Sequence, residues 1–115
     1  MLVWGNGGVR LLSGVHVSGP QSLRSIAERR FQIHSTGGDL IARLAAPEQR
    51  EAGEWACPIE LEGPDGSAHL EAFGEDSLQA LQLGLVMLSA EVLSRQRRTS
   101  LRWLGGEDLG LTFDL

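Results

Sequence analysis

The sequence predicts an α+β domain in which an antiparallel sheet of four or five strands carries one long amphipathic helix on one face. Three observations lead to this prediction. Runs that alternate between apolar and polar positions, typical of half-buried strands, fill residues 26–73. Leucines then recur at helical spacing over residues 77–95, and a short apolar run, residues 101–104, predicts a last strand. Several strands come before a single helix in this order. Such an order predicts an antiparallel sheet, because a parallel sheet is built from strands that alternate with helices.

Residues 25–115 are predicted to form a single domain, and residues 1–24 a weakly structured N-terminal extension. The extension is rich in Gly, Ser and Val and has only a short alternation, so it is expected to add an edge strand or nothing. A chain of 115 residues has little room for a second hydrophobic core.

The first predicted hairpin follows the extension. Alternation over residues 26–34 places Phe31 and Ile33 on one face of a strand. The turn Gly37-Gly38-Asp39 comes next, and the second strand ends before Pro47.

A second hairpin is predicted around the turn Glu62-Gly63-Pro64-Asp65-Gly66-Ser67, where Pro and Gly suit a tight reversal. The strand before the turn is expected to have a solvated face with Glu60 and Glu62, and a buried face. The buried face consists of Trp55, Cys57, Ile59 and Leu61. The strand after the turn, residues 68–73, should pair antiparallel with the one before it.

The helix is predicted from Ser77 to Arg95, with Asp76 as its N-cap and Gln79 placed as in a capping box. Its buried stripe is expected to be Leu78, Leu81, Leu85, Leu88 and Val92, at alternating spacings of three and four, widened by Leu83, Met87 and Ala90. If that stripe is core, Leu85→Ala should cost about 2–5 kcal/mol.

Composition excludes several classes of function. Ten basic and fifteen acidic residues give a net charge of −5, which argues against a nucleic-acid partner. Every basic residue is Arg and Tyr is absent, so catalytic Lys and Tyr chemistry are excluded. No secretion signal is recognised, and the longest apolar run, residues 83–88, is too short to span a membrane. A single cysteine is expected of a protein in the reducing cytoplasm.

Residues that could carry chemistry are few. No histidine has a partner at metal-ligand spacing, so neither a metal site nor a cofactor is predicted. The three are His16, His34 and His69. Cys57 is interpreted as a small core residue, with a nucleophile as the alternative. No catalytic residue is predicted.

Four candidate binding residues remain: Trp55, Trp103, Glu107 and Asp108. A tryptophan at the start of a strand marks either the edge of a core or a contact surface. The acidic doublet Glu107-Asp108 is expected to lie in a solvated turn, with convergence on a binding site as the alternative.

Three segments resemble a small bacterial domain family of unknown function, over about residues 26–113. They are Trp55-Ala-Cys-Pro-Ile-Glu-Leu-Glu-Gly63, Phe73-Gly-Glu-Asp-Ser-Leu-Gln-Ala-Leu-Gln-Leu83 and Trp103-Leu-Gly-Gly-Glu-Asp-Leu-Gly110. The resemblance implies a compact cytoplasmic domain. It implies no reaction, and no catalytic residue is carried over from it.

The leading hypothesis is a non-catalytic protein-interaction module, of the immunity-like kind that neutralises a partner protein. Self-association through a sheet edge or the helix stripe is a further possibility. The alternative is a small enzyme or ligand-binding domain with a cleft between sheet and helix. That alternative requires at least three side chains of one set to meet in a single pocket. The set is Cys57, His69, Glu107 and Asp108.

Overall fold

The computed structural model describes residues 3–4, 7–11 and 24–111. Eight strands and one helix lie within these residues. They are β1 (Val3–Trp4), β2 (Gly7–Leu11), β3 (Ser25–Ile33), β4 (Asp39–Ala45), β5 (Glu48–Gln49), β6 (Trp55–Gly63), β7 (Gly66–Gly74), α1 (Ser77–Gln96) and β8 (Leu101–Arg102). The helix packs on one face of an antiparallel sheet, which confirms the predicted α+β class.

The sheet has the order β1-β2-β7-β6-β4-β3-β8, and β5 pairs with the first residues of β6. The four longest strands, β3, β4, β6 and β7, are the ones that the sequence predicts, and the five-residue β2 is an addition. β8 is the predicted last strand, shortened to two residues, while β1 and β5 have two residues each, too few for any period to be recognised.

Two strands come from the segment that is predicted to be an N-terminal extension. β2 pairs with β7, with Val9 opposite Ala72, and β1 pairs with β2 at the edge of the sheet. The remainder of the extension, including residues 12–23, lies outside the described residues, so the boundary at residue 24 stays a prediction.

Both predicted hairpins are present. β3 pairs with β4, which places Phe31 opposite Leu40, and β6 pairs with β7, which places Ile59 opposite Leu70. These four side chains belong to the core between the sheet and α1. The turn between β6 and β7 contains Gly66 at a φ of 126°, a conformation that a residue with a Cβ would adopt only with strain.

The capping prediction for α1 is confirmed. The backbone N–H of Gln79 donates to Oδ1 of Asp76 at 2.7 Å. In return, Oε1 of Gln79 accepts from the backbone N–H of Glu75 at 2.6 Å. One free N–H group of the first helical turn and the N–H of the residue before the N-cap are thereby satisfied.

The predicted buried stripe of α1 is wrong at two positions. Leu78 is 62% exposed and Leu85 is 49% exposed. The buried side of the helix keeps the expected Leu83, Met87 and Val92 and adds the small residues Ala80, Gly84 and Ser89. Small residues control the packing because they allow the closest approach: a Cβ added to Gly74 of β7 would lie 2.5 Å from the backbone nitrogen of Ala80. The helix therefore sits on its small residues, and two of its leucines are left outside the core.

Candidate interaction site

The segment after β8 is a tight hairpin. The backbone N–H of Trp103 donates to the carbonyl of Gly106 at 2.9 Å, and the reverse hydrogen bond measures 3.0 Å. Leu104 and Gly105, the two central residues, have φ angles of 53° and 83°. Positive φ at both positions is the requirement of a type I′ turn, which Gly105 meets freely and Leu104 only with strain. Leu104 is also 81% exposed.

Trp103 has a structural role at the edge of the sheet. The guanidinium carbon of Arg29 lies 3.9 Å from the centroid of its ring. The same guanidinium donates to the carbonyl oxygens of Leu109 and Gly110, at 3.1 Å each. Gly110, at a φ of 68°, lies against the Trp103 ring with no space for a Cβ. Arg29 and Trp103 thus fix residues 109–110 on β3, and Leu109 is buried.

The two acidic candidates lie in the same C-terminal segment, and both are exposed. Oδ1 of Asp108 accepts from the backbone N–H of Gly110 at 2.9 Å. The carbonyl of Glu107 accepts from Nε2 of Gln96 at 3.3 Å, which ties the segment to the end of α1. Both residues shape a turn that faces solvent.

Trp55 does not join the other three candidates. It is half-buried at the start of β6, opposite Gly74, and packs against the core. The strand register places the start of β6 level with the beginning of β3, on the far side of β4, while Trp103 lies on the other side of β3, level with its middle. The four candidate binding residues therefore form no common site.

The four polar residues of the cleft hypothesis do not converge either. Cys57 is fully buried beneath α1, and its Sγ donates to the carbonyl of Ala45 at 3.4 Å. Burial raises the pKa of the Cys57 thiol to about 11, so the thiol is protonated at neutral pH. His69 lies on the opposite face of the sheet, because it pairs with Glu60 while Cys57 pairs with Ala72. The proposed constellation of Cys57 and His69 with the acidic doublet is wrong.

The face of the sheet without the helix carries linked ion pairs. Nη1 of Arg43 donates to Glu60 at 3.0 Å and to Glu62 at 2.7 Å. The hydrogen bond to Glu62 is the main reason that the pKa of Arg43 lies above its ordinary value. Nε2 of His69 lies 3.2 Å from the other oxygen of Glu60. Glu60 was predicted to be solvated but is 4% exposed, since strand alternation gives the face of a side chain and not what covers it.

A second group of ion pairs lies near the start of β6. Arg50 binds Glu71 and also Glu48, the latter at 3.1 Å. Glu71 is 4% exposed. A cleft of about 660 Å³ opens beside these residues. Its charged lining is largely engaged in the ion pairs of Arg50, so the groups there stabilise one another.

The outer strip of α1, formed by Leu78, Leu81, Leu85 and Leu88, has a different character. Leu81 and Leu88 are half-buried, and Leu78 and Leu85 are the two exposed leucines. No charged residue occurs between residues 77 and 90. A groove of about 270 Å³ adjoins the strip and is lined by Ala27, Phe31, Leu44, Leu85, Leu88 and Leu111 among others. This is an apolar surface that the described part of the fold does not cover.

By length and composition alone, α1 could also cross a membrane. A single helix of this kind is weak evidence, because the core helix of a soluble protein meets the same criteria. Here Ala80, Gly84 and Met87 pack against the sheet.

The chain matches the model of one protein family, described as a domain of unknown function (DUF6968), over residues 27–113. The chain belongs to this family. The match confirms the expected kind of family, a small domain of unknown function. The comparison with curated proteins gave no match, and neither did the comparison with solved structures.

The DUF6968 match spans the sheet from β3 onward, together with α1 and the C-terminal segment. It leaves out β1 and β2. Among the residues that the structure describes, no three His, Cys, Asp or Glu side chains are placed to hold a metal ion. The outer strip, which was expected to be part of the core, contains the two exposed leucines of α1 and is the surface that requires an explanation.

Proposed function

We propose that this DUF6968 domain is a non-catalytic interaction domain that binds a basic, amphipathic segment of a partner protein on the outer strip of α1. The observation that carries the proposal is the exposure of Leu78 and Leu85 on a helix without charged residues from 77 to 90. A contiguous apolar surface on a folded domain commonly marks an interaction site.

The shape of the surface favours an extended apolar partner. The four leucines follow one another at spacings of three and four, so they form a ridge along the helix. The adjoining groove supplies a second row of apolar contacts from Ala27, Phe31 and Leu111. A ridge beside a groove suits the apolar side of an amphipathic helix.

Charge around the strip favours basic flanks on the partner. Glu75 and Asp76 precede α1 and are exposed. Glu28 lines the groove, but its carboxylate is already in an ion pair. Arg29 also lines the groove, but its guanidinium is engaged by Trp103 and two carbonyl oxygens. The net charge of −5 also favours a basic partner. Such complementarity increases both association rate and specificity.

The absence of catalysis is part of the proposal. The buried thiol of Cys57 is protonated at neutral pH, and Glu60 and Glu71 are held in ion pairs with arginines. A nucleophile needs an accessible, activated group, and a general base needs a carboxylate or imidazole that can reach a substrate. A domain that neutralises a partner by covering a basic segment would be immunity-like, and the buried free thiol suits the reducing cytoplasm.

The test uses two synthetic peptides with leucines at spacings of three and four. In one peptide the remaining positions are mainly lysine, and in the other they are mainly glutamate. Binding is measured by calorimetry with the wild-type chain, Leu85→Gln and Leu104→Gln. Leu104→Gln is the matched control, because it removes a more exposed leucine outside the strip.

We expect the lysine peptide to bind the wild type and Leu104→Gln equally, and Leu85→Gln at least about tenfold more weakly. The glutamate peptide should bind at least about tenfold more weakly than the lysine peptide. Equal loss in both variants would overturn the assignment of the strip. Light scattering tests whether a second copy of the chain occupies the strip. A wild-type dimer that Leu85→Gln converts to a monomer would show that it does, and would also overturn the proposal.

A further inference from the structure

A second cleft, of about 470 Å³, opens where the C-terminal end of α1 meets the turn between β6 and β7. Its apolar part is formed by Ile33, Leu40 and Leu101, which come from three neighbouring strands of the sheet. Its volume is within the range of small-molecule sites. It lies beyond the charge-free part of α1 and shares no lining residue with the groove beside the outer strip.

Two arginines of α1 and its C-terminal turn line this cleft. Arg95 and Arg98 are three residues apart, so their side chains leave the same side of the helix end. Neither forms an ion pair with any residue of the described part of the chain, although acidic residues outnumber arginines fifteen to ten. Nε of Arg95 is buried without a hydrogen-bond partner among the described residues. A buried donor in this state is expected to have an acceptor that the chain itself does not supply.

The charge of the lining selects the kind of acceptor. Arg95 and Arg98 contribute two positive charges, and Asp65 contributes one negative charge. The remaining single positive charge matches one carboxylate better than a phosphate dianion. Guanidinium groups bind carboxylates with paired hydrogen bonds, and the apolar part of the cleft would hold a hydrocarbon body.

We infer that this cleft binds an organic monocarboxylate with an apolar body, held by Arg95 and Arg98. The inference is independent of the outer strip, because it depends on other residues and on a small ligand. It extends the function of the domain from binding a protein to binding a small acid at the opposite end of the helix.

The probes are octanoate, the octyltrimethylammonium cation and inorganic phosphate, each titrated into the full chain by calorimetry. The variants are Arg95→Gln and Arg98→Gln. Arg97→Gln is the matched control, because it removes the same charge from an exposed position that does not line the cleft. Circular dichroism checks that each variant is folded.

We expect octanoate to bind, and phosphate and the cation to bind at least about tenfold more weakly. Arg95→Gln and Arg98→Gln should each weaken octanoate binding at least about tenfold, and Arg97→Gln should leave it unchanged. Methyl shifts of Ile33, Leu40 and Leu101 in the wild type should follow the titration. Octanoate that fails to bind, that binds all three variants alike, or that shifts other methyl groups instead overturns the inference.

Discussion

Gly84 of α1 lies directly against Cys57 of β6. A Cβ added to Gly84 would be 2.7 Å from Sγ of Cys57 and 3.2 Å from its Cβ. This contact determines which side of the helix faces the sheet, because only a glycine allows the backbone to come so close. The same contact turns Leu78 and Leu85 outward and produces the outer strip.

The close contact predicts that Gly84→Ala destabilises the fold. Alanine in a helix is better than glycine by about 1 kcal/mol, but overpacking in a core costs about 1–3 kcal/mol. We expect a net loss of up to about 2 kcal/mol in the free energy of unfolding, measured in urea.

A double-mutant cycle tests whether Cys57 is responsible. In a Cys57→Ala background, the penalty of Gly84→Ala should shrink by about 1 kcal/mol or more, because the sulfur atom is absent. The same penalty in both backgrounds would show that the contact with Cys57 does not orient the helix.

The orientation of α1 also reverses the expectation for Leu85. Because Leu85 is about half exposed, Leu85→Ala should lower the free energy of unfolding by less than about 1 kcal/mol. Met87→Ala, two residues on and buried, should cost about 2–5 kcal/mol. Urea unfolding of the two variants in parallel decides the matter, and a larger loss for Leu85→Ala would place the outer strip in the core.

The clamp of Arg29 on Trp103 predicts a difference between two adjacent arginines. Arg29→Gln removes a cation–π contact and two hydrogen bonds, and should cost about 1–2 kcal/mol. Arg30→Gln removes the same charge but only an exposed pair with Asp39, worth less than about 1 kcal/mol. Hydrogen exchange at residues 109–111 should accelerate in Arg29→Gln alone. Unchanged exchange in that variant would contradict the clamp.

The raised pKa of Cys57 predicts a loss of stability in alkaline solution. The thiol ionises in the unfolded chain near its ordinary pKa of 9.0, but in the folded protein only near 11. The contribution of the thiol to stability is therefore complete below about pH 9 and is lost as the pH rises toward 11. The free energy of unfolding is measured between about pH 8 and pH 10. Over this interval it should decrease more in the wild type than in Cys57→Ala. Equal losses would mean that Cys57 is not buried as a neutral thiol.

Much of the fold could be predicted because its signals are local. The period of two in β3 and β6 gives the faces of Phe31 and Ile59, and the spacing of Asp76 and Gln79 gives the start of α1. These patterns depend on residues close together in the sequence. Contacts with distant parts of the chain therefore do not alter them.

The orientation of α1 could not be predicted in the same way. Leucines mark apolar positions, and α1 has more of them than one buried side can hold. The choice between sides depends on which side allows the closest backbone approach, and that is decided by Ala80 and Gly84 against the sheet. The useful signal was the absence of charge over residues 77–90, which indicates an apolar surface wider than one core contact.

Burial of Glu60 and the role of Trp103 also depend on distant partners. Arg43 on β4 holds Glu60, and Arg29 on β3 holds Trp103, at sequence separations that no local pattern reveals. The motif from Trp103 to Gly110 is a turn and an anchor for the C-terminal segment. The sequence marks this motif as a recognisable pattern, and the contacts in the structure give its residues a role in holding the C-terminal segment.

The most direct measurement of the proposed function is the set of methyl and amide shifts that the lysine-rich amphipathic peptide causes in the full-length chain. The account predicts that the shifts concentrate on Leu78, Leu81, Leu85 and Leu88 and on the adjoining groove. Shifts that concentrate on the helix-free face around Glu48 and Glu62, or a spectrum that the peptide leaves unchanged, would contradict it.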